Sequence, residues 1–261
     1  MSIHPTATVS KRSEIASSAI IGAYTVIGDG VSIGENTELK SHVSVMGQTK
    51  IGKNNQIYPF SVIGGPPQDI SYKNESTRLI IGDNNIIREN CTLSTGTVRG
   101  RSVTEVGNEN LIMAYSHVAH DCKLGDKILM ANGAQLAGHV FIDNNATLGG
   151  FSLIHQFVRL GKYSFTSMGS AINKDLPPYC LASGNYARAI GLNRVGLRRI
   201  GMRREVIDAL AKVFRLLVQR RNSPEEELDI LRSRFSEVNE FVMFVKESQR
   251  GILRTHLKAR T

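Results

Sequence analysis

The chain has 261 residues, which is enough for one large domain or for one domain with a small appendage. Its 41% hydrophobic and 21% charged residues are ordinary for a globular protein. No apolar stretch reaches the roughly 20 residues that span a bilayer. At the N-terminus, His4, Lys11, Arg12 and Glu14 interrupt any signal-like segment. We therefore expect a cytoplasmic protein with no transmembrane segment.

The net charge of +9 lies almost entirely in the last part of the chain. Residues 185–261 contain 17 Lys+Arg and 9 Asp+Glu, a net +8, which leaves +1 for residues 1–184. A basic segment suits nucleic acid, anionic lipid, an acidic protein or a phosphate ligand, and charge does not choose among them. The cysteines, Cys91, Cys122 and Cys180, lack metal-ligand spacing and are expected to be reduced core residues.

An aliphatic residue recurs at every sixth position through most of the chain. The series is Ile3, Val9, Ile15, Ile21, Ile27, Ile33, Leu39, Val45, Ile51, Ile57 and Ile63, then Ile81, Ile87 and Leu93, then Val106, Ile112, Val118, Leu124, Met130, Leu136, Ile142, Leu148, Ile154, Leu160, Thr166 and Ile172. Of these 26 positions, 24 hold Ile, Leu or Val. A period of six fits neither an α-helix nor an alternating strand. It predicts a coil with flat, strand-like sides that each place one aliphatic side chain inward.

This repeat resembles the hexapeptide-repeat family, and the resemblance implies the fold. Members of that family form triangular coils, wound left-handed, in which each of the three sides is one hexapeptide. The expected fold class is therefore all-β, a left-handed parallel β-helix, with neighbouring coils about 4.8 Å apart. The handedness comes from the resemblance alone, because parallel crossovers are ordinarily right-handed.

Two interruptions of the hexapeptide register are predicted to be inserted loops, at residues 64–80 and 99–105. The first opens with Gly64-Gly65-Pro66-Pro67, which is turn chemistry, and the second is short and polar. Loops on a rigid scaffold often carry function, although surface decoration is the alternative interpretation.

A helical pattern follows the repeat. Apolar residues recur at spacings of three and four over residues 206–217, and Ser223-Pro224 predicts the start of another helix. A last helix is expected over residues 238–248. We therefore divide the chain into a β-helix at 1–186 and a small C-terminal α-helical domain at 187–261, which is expected to pack against the β-helix.

Histidines and their polar neighbours concentrate in one part of the repeat. Residues that are three hexapeptides apart lie one above another in adjacent coils. One such column holds His120, Gly138 and Gln156, the next holds Asp121, His139 and Phe157, and His117 and His155 lie beside them. Three interpretations are open: a ladder of satisfied polar side chains, a metal site, and general-base catalysis.

General-base catalysis accounts for most of these residue types. Histidine titrates near neutral pH and can take a proton from a sugar hydroxyl. An adjacent carboxylate, Asp121, would fix its tautomer. The backbone N–H of Gly138 could approach a developing oxyanion, because glycine has no side chain. No nucleophilic side chain belongs to the set, which favours direct passage of an acyl group from donor to acceptor.

Three segments, His117–Cys122, Leu136–Val140 and His155–Phe157, are similar to UDP-N-acetylglucosamine O-acyltransferases. The resemblance spans essentially the whole chain, including Pro67-Gln68-Asp69 and Ser248-Gln249-Arg250-Gly251. It implies a homotrimer with active sites between neighbouring β-helices. It also implies transfer of an (R)-3-hydroxyacyl chain from acyl carrier protein to the 3-hydroxyl of UDP-N-acetylglucosamine, the first step of lipid A biosynthesis. An acidic carrier and a diphosphate would explain the basic segment without nucleic acid.

The resemblance further implies a role for each site residue. His120 matches the general base, Asp121 its orienting partner and Gly138 the oxyanion donor. Substrate-contacting positions are matched by Asp69, His117, His139, His155 and Gln156, and positions near the nucleotide phosphates by Asn193 and Arg199. No cofactor and no metal ion is implied.

Met168 matches the far end of the acyl groove, where glycine in the family lets a long chain pass. Its thioether side chain predicts a donor of about ten carbons rather than fourteen. Two further departures from the family pattern are Ser71, in place of a frequent lysine, and Ser94, in place of a frequent histidine. Both concern sugar binding.

Three other functions remain as alternatives. The first is N-acyl transfer onto a UDP-amino sugar by a related enzyme, which usually carries about 100 further N-terminal residues; repeats that begin at Ile3 argue against it. The second is a hexapeptide-repeat zinc enzyme of the carbonic anhydrase type, and the third is a non-catalytic interaction scaffold. The sequence leaves open whether the acceptor carries a 3-hydroxyl or a 3-amino group.

Overall fold

Each coil of the repeat contributes one short strand to each of three sheets, which we name A, B and C. The computed structural model describes residues 2–220 and 225–255. Sheet A contains β1 (Ser2–Ile3), β4 (Ile20–Ile21), β7 (Glu38–Leu39), β10 (Gln56–Ile57), β13 (Ile86–Ile87), β16 (Leu111–Ile112), β19 (Leu129–Met130), β22 (Thr147–Leu148), β25 (Phe165–Thr166), β27 (Cys180–Gly184) and β28 (Ala187–Leu192). Sheet B contains β2 (Thr8–Val9), β5 (Val26–Ile27), β8 (Ser44–Val45), β11 (Val62–Gly65), β14 (Thr92–Ser94), β17 (His117–Val118), β20 (Gln135–Leu136), β23 (Leu153–Ile154) and β26 (Ala171–Ile172). Sheet C contains β3 (Glu14–Ile15), β6 (Ser32–Ile33), β9 (Gln48–Ile51), β12 (Arg78–Ile81), β15 (Val103–Val106), β18 (Lys123–Leu124), β21 (Phe141–Ile142) and β24 (Arg159–Leu160).

The strand register follows the sequence period. Ile3 pairs with Ile21, and Ile21 pairs with Leu39, so one coil is three hexapeptides long. The side chains at the inward positions fill the interior; Leu39 and Leu136, for example, are fully buried. Ile3 is only partly buried, because no described coil packs below the first one. The predicted β-helix is confirmed.

Both insertions leave the β-helix at the same edge. Across the first, Ile57 pairs with Ile87, and across the second, Leu93 pairs with Val118, so both of these coils are longer than the regular ones. The insertions occupy residues 66–77 and 95–102, each between a strand of sheet B and the next strand of sheet C. Strands β12 and β15 take up the last residues of the two predicted loops. We call this edge, where sheet B leads into sheet C, the B–C edge.

The C-terminal part begins with a hairpin. Strand β27 pairs in parallel with β25 and antiparallel with β28. The division after residue 186 stays a prediction, and it falls in the turn of this hairpin. The helices are α1 (Arg194–Arg199), α2 (Arg204–Phe214) with a π-helical continuation (Arg215–Arg220), α3 (Glu225–Arg234) and α4 (Ser236–Glu247). The predicted helix start at Ser223-Pro224 lies outside the described residues.

Helix α2 packs on α4 and on β28, and buries Leu210 and Val213 together with Phe241 of α4. The chain then returns to the last coil, where Ile252 pairs with Asp175. The cysteines are unpaired and buried, as predicted. Within the described part of the chain, no helix combines the length and the apolar character that a membrane crossing requires.

Candidate active site

The B–C edge aligns the predicted catalytic residues in successive coils. His120 and Asp121 follow β17, Gly138 and His139 follow β20, and Phe157 follows β23. Asp121, His139 and Phe157 occupy the same left-handed turn position, with φ of 60°, 62° and 63°. The His139 ring therefore stacks on the Phe157 ring, with 4.4 Å between centroids, and it meets the His120 ring edge-on at 5.0 Å.

His120 and Asp121 form a buried hydrogen-bonded pair. Nδ1 of His120 lies 2.9 Å from Oδ2 of Asp121, and both side chains are almost fully removed from solvent. The second insertion surrounds the carboxylate: it accepts from the N–H of Thr97 at 3.1 Å, from the Thr97 hydroxyl at 2.6 Å and from the N–H of Arg101 at 2.8 Å.

These bonds keep Asp121 ionised. Burial raises the pKa of the Asp121 carboxyl, but the hydrogen bonds from His120, Thr97 and Arg101 outweigh it and lower the pKa to about 2. An ionised carboxylate is an acceptor only, so Nδ1 of His120 is the donor. The neutral imidazole then has its free lone pair on Nε2, which is the arrangement of a general base.

Gly138 lies against the His120 ring. A Cβ atom at residue 138 would be 2.5 Å from Cε1 and 2.7 Å from Nε2 of His120, so only glycine leaves room for the ring. Among the described residues, nothing accepts a hydrogen bond from the Gly138 N–H. The backbone of Gly138 is therefore next to the nitrogen that would take the proton, with an N–H available for a ligand.

His117 and His139 flank the pair on either side. Nδ1 of His117 lies 2.7 Å from the Thr92 hydroxyl. Burial lowers the pKa of His117; the bond with Thr92 opposes this, and the nearby His120 adds to the lowering. Burial also lowers the pKa of His139, although Asp121, 3.9 Å from its Nδ1, opposes the shift. Both rings therefore favour the neutral form at neutral pH. In that form each ring can both donate and accept a hydrogen bond.

The first insertion brings Asp69 to the same place. The N–H of Ser71 donates to Oδ1 of Asp69 at 2.8 Å. The N–H and the hydroxyl of Ser71 lower the pKa of Asp69, and the closeness of His120 and Arg99 lowers it further. Asp69 therefore lies within electrostatic range of His120. Ser71, which replaces a lysine that is frequent in the family, thus donates a hydrogen bond to Asp69 and adds no positive charge.

Five of the predicted residues lie away from the pair within one chain, and three of them come first. Gln156 and His155 are two coils beyond His120 on the same edge, and Gln156 is exposed. Asn193 caps α1: its Oδ1 accepts from the Gly196 N–H at 3.1 Å, and its Nδ2 donates to the Tyr163 carbonyl at 3.1 Å. Both polar atoms of the Asn193 amide thus make hydrogen bonds that stabilise the start of α1.

Arg199 and Met168 are further from the pair. Arg199 is exposed at the end of α1. Met168 is 82% exposed and follows β25, at the edge where sheet A leads into sheet B, which we call the A–B edge. It lies three coils beyond His120 and on the other side of sheet B. One chain alone does not bring Arg199 or Met168 into contact with His120.

A metal site at this edge has a geometric basis. His120, Asp121 and His139 each offer a ligand atom, and these atoms lie within 4.8 Å of one another. However, the carboxylate oxygens of Asp121 already accept hydrogen bonds from the second insertion and from His120. A cation would have to displace the His120 proton, so the donor set suits a hydrogen-bonded pair better than a metal. The absence of a metal stays a prediction.

Comparisons with known proteins show the family. Residues 175–253 match the family described as Udp N-acetylglucosamine O-acyltransferase, domain 2, and residues 30–65 match the bacterial transferase hexapeptide repeat. An acyl-[acyl-carrier-protein]–UDP-N-acetylglucosamine O-acyltransferase of Syntrophobacter fumaroxidans is 45% identical over 97% of this chain and the whole of that protein. The chain belongs to the UDP-N-acetylglucosamine O-acyltransferase family.

Solved structures of UDP-N-acetylglucosamine O-acyltransferases have the same fold. The enzyme of Moraxella catarrhalis is 44% identical, with a TM-score of 0.92 over 97% of this chain and 100% of that one. The enzyme of Francisella novicida is 42% identical, also with a TM-score of 0.92, over 97% of this chain and 94% of that one. The predictions of the family, of an acyltransferase and of a left-handed β-helix are thereby confirmed.

Sequence reasoning missed several residues of this O-acyltransferase site. Thr97 and Arg101 clamp Asp121, and Gly100 lets the second insertion pass over it, because a Cβ there would lie 2.4 Å from the Asp121 Cγ. Arg250 approaches His155, with Nη2 2.8 Å from its Nδ1. The register break did point to the second insertion, and the resemblance included Arg250 in Ser248-Gln249-Arg250-Gly251, but neither assigned these residues a role in the site.

Proposed function

We propose that this chain transfers an (R)-3-hydroxyacyl chain from acyl carrier protein to the 3-hydroxyl of UDP-N-acetylglucosamine, the first step of lipid A biosynthesis. The observation that carries the proposal is the buried His120–Asp121 pair, whose 2.9 Å bond leaves Nε2 of His120 free beside the backbone of Gly138. A base, a group that orients it and an N–H donor are the parts that direct acyl transfer needs.

The reaction then runs in two proton-coupled steps. Nε2 of His120 takes the proton of the sugar hydroxyl as its oxygen attacks the thioester carbon, and the Gly138 N–H donates to the oxyanion that forms. The carbon–sulfur bond then breaks, and the imidazolium of His120 returns the proton to the departing thiolate. Asp121 stabilises the imidazolium between the two steps. The products are the acylated sugar and the free carrier thiol.

A covalent acyl-enzyme is disfavoured by the state of the nearest thiol. Cys122 is fully buried, and its Sγ donates to the Ala137 carbonyl at 3.2 Å. Burial raises the pKa of the Cys122 thiol to about 12, so it stays protonated at neutral pH. A protonated, inward-facing thiol is a poor nucleophile, which supports direct transfer between the two substrates.

The polar groups around His120 suit a sugar acceptor. Neutral His117 and His139 can donate or accept at sugar hydroxyls, and Asp69 can accept from them. His155, Gln156, Asn193 and Arg199 are proposed to contact the rest of the UDP-sugar, the last two near the phosphates. Since Asn193 and Arg199 lie away from His120 in one chain, their part in the site requires a neighbouring copy.

We infer a homotrimer for the same reason, and an exposed apolar column supports it. Five residues of the A–B edge are each more than half exposed: Tyr24, Phe60, Tyr115, Phe151 and Met168. An edge that exposes several large apolar side chains suits an interface with a neighbouring chain. With a neighbouring chain over sheet B, the acyl chain would lie between two copies and reach Met168. A monomer in light scattering would contradict this arrangement.

The donor's carrier is proposed to dock on the basic C-terminal part. Residues 185–261 hold +8 of the net charge of +9, and acyl carrier proteins are acidic. The reaction would take place in the cytoplasm, where carrier proteins and sugar nucleotides are made. No cofactor takes part in the proposed steps.

A product-mass assay tests the function directly. The protein is incubated with a series of 3-hydroxyacyl carrier proteins and either UDP-N-acetylglucosamine or its 3-amino analogue, with His120→Ala as the matched control. We expect an acylated nucleotide sugar only with the wild-type protein, and mild hydroxylamine should release its acyl group because it is an ester. An amide that resists hydroxylamine, formed only from an amino sugar, would replace the O-transfer proposal by N-transfer. If no acylated product forms with any donor and either acceptor, both the O-transfer and the N-transfer proposals are wrong.

A further inference from the structure

Arg250 reaches the B–C edge from the segment that follows α4, far along the chain from His155. Its Nη2 lies 2.8 Å from Nδ1 of His155, and its Nε donates to the Asn173 carbonyl at 2.9 Å. His155 and Asn173 occupy equivalent positions in neighbouring coils, so the guanidinium joins two coils. It also borders a cleft of about 590 Å³ whose wall includes His139 and Phe157.

The contact decides which nitrogen of His155 carries the proton. A guanidinium has donors only, so Nδ1 of His155 must be the acceptor and must be unprotonated. Nδ1 also lies 3.2 Å from the Gln156 carbonyl, which would need a proton on Nδ1 instead. The shorter contact, with a group that can only donate, prevails. The neutral ring then has its hydrogen on Nε2.

The segment that bears Arg250 is held firmly on the β-helix. Asp175 is buried; its Oδ2 accepts from the Ser248 hydroxyl at 2.7 Å and its Oδ1 from the Arg159 N–H at 2.8 Å. The Asp175 N–H donates to the Gly251 carbonyl at 3.0 Å, and the Leu253 N–H donates to the Asp175 carbonyl at 2.8 Å. These bonds lie on both sides of Arg250 in the chain, so its guanidinium has a defined place.

We propose that Arg250 is a positioning residue for acyl transfer: it holds His155 as the Nε2–H tautomer, so that His155 meets an oxygen of the sugar nucleotide as a hydrogen-bond donor. The identity of the substrate rests on the proposed function, whereas the tautomer does not. His155 cannot serve as a second base in this state, because its unprotonated nitrogen is occupied by Arg250. The proton transfer is left to His120.

Nitrogen NMR of histidine-labelled protein measures the tautomer without any activity. The ring signals of His155 are assigned by their loss in His155→Gln. We expect an unprotonated Nδ1 and a protonated Nε2 in the wild-type protein and in Arg250→Lys, which keeps a cationic donor. In Arg250→Gln the two nitrogens should move towards averaged shifts, as the ring exchanges tautomers. Unchanged shifts in Arg250→Gln would overturn the proposal.

A kinetic double-mutant cycle separates positioning from direct contact or a purely structural role. Arg250→Gln should raise the KM for UDP-N-acetylglucosamine about ten- to a hundredfold with kcat nearly unchanged, because a charge-assisted bond that orients a binding group is lost. Arg250→Lys should recover most of this, and Lys246→Gln, which alters an exposed cation of α4 outside the cleft, should change little.

In the His155→Gln background, Arg250→Gln should add almost nothing. An equal rise in KM in both backgrounds would mean that Arg250 acts independently of His155, and the proposal would be wrong. Thermal melting of each variant separates loss of fold from loss of positioning. If the wild-type protein acylates no UDP-N-acetylglucosamine, the proposed function fails, but the nitrogen shifts still decide the tautomer.

Discussion

The imidazole of His120 occupies the space that any side chain on residue 138 would need, since a Cβ atom on Gly138 would lie 2.7 Å from Nε2. Glycine at this position therefore serves two purposes: it admits the ring, and it presents its backbone N–H beside the ring nitrogen that would take the proton. The two purposes are separable by experiment, because only the first is sensitive to a methyl group.

We expect Gly138→Ala to lower kcat about a hundredfold, because the methyl group pushes the His120 ring away from its bond with Asp121. Gly191→Ala is the matched control: that glycine has an ordinary φ and no other group within 4 Å of its Cβ position. A crystal structure of Gly138→Ala with His120 in place, together with full activity, would contradict this explanation.

His120→Ala should lower kcat by about 10²–10⁴-fold, the usual contribution of a general base. The molecular mass in solution should not change, and the melting temperature should fall only modestly, since Thr97 and Arg101 still donate to the Asp121 carboxylate when the ring is lost. His4→Ala, which alters an exposed histidine of the first coil, should have no effect on turnover. Retention of more than about a tenth of wild-type turnover would remove His120 from this role.

The Asp121 carboxyl should make the fold more sensitive to acid. Its pKa in the folded chain is about 2, below the ordinary 3.8, so the ionised form stabilises the fold above about pH 4 and this contribution is lost as the pH falls towards 2. The difference corresponds to about 2 kcal/mol. Urea unfolding at pH 6, 4 and 3 should therefore show a steeper loss of stability in the wild-type protein than in Asp121→Asn. Parallel curves would mean that the carboxyl titrates normally.

Activity should not depend on a metal ion, although three potential ligands lie within 4.8 Å of one another. Dialysis against a chelator should leave turnover unchanged, and metal analysis of the purified protein should give less than one equivalent. Loss of activity on chelation with recovery on addition of Zn²⁺ would favour the zinc-enzyme alternative.

Met168 should limit the length of the acyl chain. An extended methionine blocks the space of three or four methylenes, each worth about 0.8 kcal/mol, so the preference for a donor of about ten carbons over one of fourteen should be about a hundredfold. Met168→Gly should shift the preference to longer donors, whereas Ser167→Gly should not. Competition between carrier proteins with different acyl chains measures the ratio. Unchanged preference in Met168→Gly would show that the flexible thioether swings aside.

The hexapeptide series was sufficient to predict the coils because each inward position has the same environment in every coil. Even the polar exception, Thr166, stays in register: it is buried, and its hydroxyl lies 2.8 Å from the Ser152 hydroxyl, so the polar group is satisfied. The same spacing, three hexapeptides per coil, aligned His120 with Gly138 and Asp121 with His139. It worked because the B–C turns that follow β17, β20 and β23 carry no insertion, so the spacing of 18 residues holds across them.

The contacts made by non-repeating segments could not be predicted in this way. The clamp of Thr97 and Arg101 on Asp121 depends on how a short insertion folds, and no periodicity describes that. The bond between Arg250 and His155 joins the C-terminal segment to the repeat, and only the packing of the helices determines where that segment ends. Burial and pairing in three dimensions, rather than sequence spacing, set these contacts.

The uniform rise of the coils has a consequence for how such a chain can change in length. Each coil adds about 4.8 Å along the axis and restores the same orientation. Duplication or loss of a whole coil before β10, ahead of both insertions, would leave the geometry around His120 intact and change only the overall height. One coil more between β17 and β23 would move His155 away from His120 by a full strand spacing. Growth of the solenoid is thus tolerated at one end and forbidden in the middle, where the substrate spans several coils.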